Sequence, residues 1–156
     1  MAAKPVKPMS AAMIKYRVGR RLSRYMGISY LEHFALFMGG VQVLEMHHKV
    51  LLAERYGKDL DQMERWTLGR INKEMLAAGI RPDYCAFLSE LVTKRNFIAH
   101  EMLANNALLR SLSSGFSPRQ ERKVLDPATY ELEQLFVLAA WCDKYDGWGA
   151  KQSEQK

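Results

Sequence analysis

The chain has 156 residues and a formal net charge of +6. That length suits one domain with a real core, and 48% apolar with 26% charged residues is the balance of an ordinary globule. No run of 18 apolar residues occurs, so no membrane-spanning segment is expected.

The positive charge is unevenly placed. Residues 1–31 hold seven bases (Lys4, Lys7, Lys15, Arg17, Arg20, Arg21 and Arg24) and no acid, leaving 16 bases and 17 acids for the remainder. All of the excess therefore sits in the first segment. It either faces an anionic partner or is a solvated, solubilising face. Cys85 and Cys142 match no metal spacing, and two cysteines among nine methionines suit a reducing compartment, most simply the cytoplasm.

Residues 1–11 carry Pro5 and Pro8 and read as a flexible basic tail. A helix over 12–26 follows, with Ile14, Val18, Leu22 and Tyr25 on one face and a basic stripe of Arg17, Arg20, Arg21 and Arg24 on the other. Gly27 stops it. Ser29 with Glu32 is a capping box for a second helix, 29–56, closed by Gly57. Gly39-Gly40 in its middle implies a kink or the close approach of another helix. Asp61 with Glu64 marks a third helix over 61–78. Pro82 or Asp83 opens a fourth, which runs to about Leu112. Residues 113–125 read as a basic mobile loop, and Asp126-Pro127 starts a fifth helix ending at Gly147. Residues 148–156 are a polar C-terminal tail. No strand or repeat pattern is visible. The expected fold is all-α: one domain, 12–147, built as an up-and-down bundle of about five helices.

Several chemistries lack support. Glu45-Met46-His47-His48 contains half of a di-iron Glu-x-x-His pair, but the second half is missing, so no metal site is assigned. There is no phosphate-binding glycine loop, no Gly-x-Ser-x-Gly, and no cysteine near a base in sequence. No cofactor is implied.

Lys94-Arg95-Asn96-Phe97-Ile98-Ala99-His100-Glu101 remains. On a helix Asn96 and His100 are i, i+4 neighbours. Arg95 falls on the stripe of Leu88, Val92, Ala99 and Met102, which has core spacing. A charge there needs a partner or a cleft. Two explanations stay open. In one, Arg95 holds a phosphate, Asn96 supports it, and His100 moves a proton, which suffices for metal-independent RNA cleavage to a 2′,3′-cyclic phosphate. In the other, Arg95 pairs internally with an acid such as Glu64 or Glu90, and His100 bonds across a helix interface.

The run Arg95-Asn96-Phe97-Ile98-Ala99-His100 resembles the Arg-Asn-x-x-x-His signature of the HEPN superfamily. Thr67-Leu68-Gly69 upstream is similar to an element of bacterial HEPN-like proteins. The resemblance spans roughly 29–145, with specificity only at 64–70 and 88–102. It implies a four- or five-helix bundle, usually a homodimer whose motif residues share a cleft, and a metal-independent endoribonuclease or RNA-binding role. Toxin–antitoxin and phage-defence components occur among such proteins, and an antitoxin or other protein partner would then be expected. Inactive members serve as assembly or regulatory modules. Carried over, Arg95, Asn96 and His100 are the catalytic candidates. The basic first helix, through Arg17, Arg20, Arg21 and Arg24, is a candidate RNA-backbone contact. One departure is Met102, where toxin-type members often have a tyrosine.

Overall fold

The computed structural model of the chain describes residues 7–104 and 119–149. These residues form five α-helices and no strand: α1 Ala11–Leu22, α2 Tyr30–Tyr56, α3 Leu68–Ala77, α4 Pro82–Ala104 and α5 Arg119–Tyr145. The fold is an all-helical bundle. Helix α5 packs against α1, α2 and α4, while α3 packs on α2 and α4.

Local chemistry explains the first two helices. Ser10 accepts from the Met13 amide and caps α1, which is prolonged by a single 3-10 turn, Ser23–Tyr25. The Ser29–Glu32 capping box is fully formed. Gly57 ends α2 in the left-handed conformation at φ 66°, which only glycine adopts without strain. The paired glycines inside α2 divide their roles. A Cβ on Gly40 would lie 2.8 Å from Leu132 Cδ2 of α5, whereas one on Gly39 meets nothing within 4 Å. Close helix approach is thus the reason for Gly40 alone.

Three boundaries differ from the sequence expectation. Helix α3 begins at Leu68, not Asp61. Residues 60–66 instead close successive short turns, with Met63, Glu64 and Trp66 amides donating to the carbonyls of Leu60, Asp61 and Met63. Fully buried Met63 pins this segment, and the real cap is Thr67, whose hydroxyl accepts from the Arg70 amide. At the other end, residues 119–125, expected as loop, are the first turns of α5. Burying Leu125 at 1% exposure outweighs the hydrogen bond that Pro127 forfeits inside the helix. Third, the C-terminal tail set at 148 starts too early. Trp148 is buried, and its carbonyl accepts from the Arg81 amide at 2.8 Å. Residues 105–112 of the expected fourth helix, 113–118 of the expected loop and most of both tails lie outside the described residues.

The core gathers Phe37, Leu44, Leu52, Ile71, Met75, Leu88, Leu91, Leu132 and Leu135. Several buried polar groups are tied across helices. Glu133 of α5 takes both Arg21 and the Tyr25 hydroxyl. His48 Nε2 and the Tyr84 hydroxyl are bonded at 2.8 Å. Thr129 donates to the Leu125 carbonyl and so receives the His33 Nε2 proton.

Candidate functional site

Helix α4 carries the Arg-Asn-x-x-x-His motif. Its buried line runs through Tyr84, Leu88, Leu91 and Ile98. Arg95 lies at the edge of that line, half-buried, while Asn96 and His100 are exposed. Arg95 Nη1 donates to Asn96 Oδ1 at 3.1 Å. Among the described residues Arg95 forms no ion pair, so the internal partners Glu64 and Glu90 are not used. The neighbouring Lys94 turns the other way and pairs with Glu131 of α5.

Beside Arg95 is an open cleft of about 350 Å³. Asn96 joins Arg95 on the α4 wall. Glu64, Arg65 and Trp66 come from the turn that replaces the expected start of α3, and Glu45 comes from α2. Lys49, nearly buried, donates to Glu45 Oε1 at 3.1 Å and to the Glu64 carbonyl at 3.0 Å. That ammonium fixes the turn to α2 and so sets the cleft's width. The Arg70 guanidinium lies 4.2 Å from the Trp66 ring centre, a cation–π contact that holds the indole. Thr67-Leu68-Gly69, the second stretch carrying the family resemblance, forms the floor next to Val92.

The cleft brings together two of the three motif residues. His100 is one turn further along α4 and does not line it. Within the chain the arrangement can bind an anion at its guanidiniums, but it does not bring an imidazole to the same spot. Arg65 and Trp66 escaped sequence reasoning because their segment reads as a helix. The missed signal was Thr67 before Leu68, a second N-cap residue downstream of Asp61.

The basic first helix is also sorted by the structure. Arg17, Arg20 and Arg24 are exposed. Arg21 turns inward, with its guanidinium on Glu133 and 4.9 Å from the Phe136 ring centre. Glu133 is 1% exposed, and burial, followed by the Glu133 hydrogen bond, raises the Tyr25 phenol above its usual range. Three arginines of the stripe therefore face outward, and the fourth holds α1 on α5.

The histidines near Glu45 make other contacts. His47 Nε2 bonds Asp143 Oδ2 at 2.8 Å. His48 packs edge-on to Tyr84 and Trp148, and burial pushes its pKa down to about 3. Among the described residues no three His, Cys, Asp or Glu side chains gather as a metal set. Burial pushes the Cys85 thiol up to about 11 and raises that of Cys142, so neither is an activated nucleophile. No described helix is long and apolar enough to cross a membrane. No family model matches the chain, and neither a curated protein nor a solved structure matches it.

Proposed function

We propose that the protein is an HEPN-like RNA-binding protein and metal-independent endoribonuclease. The observation that supports this reading best is Arg95: a half-buried guanidinium with no acid partner among the described residues, on the wall of an open cleft. A half-exposed guanidinium without a counterion is suited to an anion supplied from outside. Exposed His100 on the same helix is the acid–base group. Because His100 lies outside the cleft, cleavage calls for a homodimer in which motif residues of two copies meet. Exposed Arg17, Arg20 and Arg24 extend the contact along the RNA backbone. A toxin or phage-defence role is the biological setting this activity fits.

The test is cleavage of single-stranded RNA in the presence of EDTA. The expected products end in a 2′,3′-cyclic phosphate, since the nucleophile is the adjacent 2′-hydroxyl, and DNA is left intact. His100→Ala should lose ~10²–10⁴-fold in rate while remaining folded. Exchanging Arg17, Arg20 and Arg24 for Glu should weaken binding, and wild-type affinity should fall steeply with salt. Arg21 is left out of that set because it pairs with Glu133.

One observation favours a second reading. Glu45 and Glu64 also line the cleft, and carboxylates oppose a bound phosphate. In that reading the bundle is a non-catalytic HEPN-like module that docks a protein partner for assembly or regulation. It predicts no RNA cleavage by the wild type at any salt concentration.

A further inference from the structure

Charged groups of both signs line the cleft. Arg95 from α4 and Arg65 from the turn before α3 bring two guanidiniums, neither in an ion pair among the described residues. Two carboxylates of unequal status line it as well. Glu45 is neutralised by Lys49 at 3.1 Å. Glu64 offers only its backbone carbonyl to Lys49, and its carboxylate forms no ion pair among the described residues. The half-buried indole of Trp66, held by Arg70, lines it too. The volume, about 350 Å³, is at the small end of ligand sites and too narrow for a duplex.

Phosphate, aromatic ring and hydrogen-bond donors are the three features of one nucleotide that such walls complement. We infer that the cleft of a single protomer binds one nucleotide unit of single-stranded RNA. Arg95 and Arg65 hold its phosphate, Trp66 takes its base by stacking, and the Glu64 carboxylate accepts from the base edge. This rests on the RNA reading above and deepens it in two ways. Binding is complete within one copy, whereas cleavage is not. A carboxylate with two free oxygens also matches a base presenting two adjacent N–H donors, which singles out guanine over uracil. The carboxylates that oppose a bare phosphate become the element that selects the base.

The experiment uses ¹⁵N-labelled full-length protein and two hexanucleotides blocked at every 2′-oxygen, so that neither can be cut. One is all uridine and the other carries a single guanosine. The expected result is movement of the Trp66 indole N–H and the Gly69 amide on titration, with the guanosine hexamer bound at least about fivefold more tightly. Arg65→Ala and Arg95→Ala should each weaken binding roughly tenfold. Glu64→Gln should bind both hexamers equally. All three positions are exposed or half-buried, and a melting curve on each variant checks that it is folded. His100→Ala should bind like the wild type. Inorganic phosphate and 5′-GMP run as separate arms, and 5′-GMP binding as tightly as the hexamer overturns the RNA assignment in favour of a free nucleotide. RNA bound and cut while the Trp66 and Gly69 signals stay still overturns this inference alone. No hexamer binding together with no RNA cleavage overturns the functional reading beneath it.

Discussion

Two arginines of this chain meet opposite fates. Arg21 sits in a stripe of bases that reads as solvent-facing, yet its guanidinium is turned onto Glu133, which is 1% exposed. Arg95 sits on a stripe that reads as core, yet it lines an open cleft and forms no ion pair among the described residues. The first charge is committed to holding α1 on α5. The second is left available. A buried carboxylate without its cation is strongly destabilising, whereas a half-exposed arginine without an acid costs little. One guanidinium is committed to a buried acid, and the other lines a cavity without an ion pair among the described residues.

The largest expected effect comes from breaking the committed side. Arg21→Ala leaves the Glu133 carboxylate, 1% exposed, without its cation and should cost about 3–5 kcal/mol by denaturant unfolding. A loss below about 1 kcal/mol would mean that α1 is held mainly by Val18 packing.

The next effect is a pH dependence from the other buried polar contact. His48 has a folded pKa near 3 against an ordinary value of 6.5, because burial disfavours its charged form. The unfolded chain therefore takes up the proton first as pH falls. Stability from neutral His48 is complete above about pH 6.5 and is lost between 6.5 and 3, by up to about 1.4 kcal/mol per pH unit. His33, lowered by burial in the same sense, adds to it. His48→Phe should flatten that slope in chemical denaturation, at the expense of leaving the Tyr84 hydroxyl unpaired. An unchanged slope would assign the acid sensitivity to other groups.

A smaller effect separates the paired glycines. Gly40→Ala forces its Cβ against Leu132 and should cost about 1–3 kcal/mol. Gly39→Ala meets open space and should gain up to about 1 kcal/mol from helix propensity. Equal effects in thermal melts would show that α5 does not seat on α2 at Gly40.

Much of the bundle was legible because its signals are local. The Ser29–Glu32 box and Gly57 mark α2 within one residue, since caps act over a single turn. Asp61–Glu64 offered the same kind of signal and did not start a helix. The burial of Met63 and the Lys49 contact to the Glu64 carbonyl decided that segment, and both depend on α2, far away in sequence. The same holds for Trp148 and Arg21, which contact His48 and Glu133, 100 and 112 residues away in the chain, and periodicity alone does not reveal such contacts. For the candidate site, Arg95 and Asn96 were legible as an anomaly on a core stripe. Arg65 and Trp66 were not, because they reach the cleft only through the misread turn.

The smallest expected change in stability is also the most direct test of the account. Arg95→Ala should shift the melting temperature by no more than the ~0.5 kcal/mol typical of a surface site, because no buried acid is left behind. The same variant should lose RNA affinity by roughly tenfold or more at moderate salt. Measuring both on one preparation, with Arg21→Ala as the structural counterpart, gives the answer. The account predicts a stable protein that no longer holds RNA. An Arg95→Ala protein that melts well below the wild type and binds RNA unchanged would contradict it.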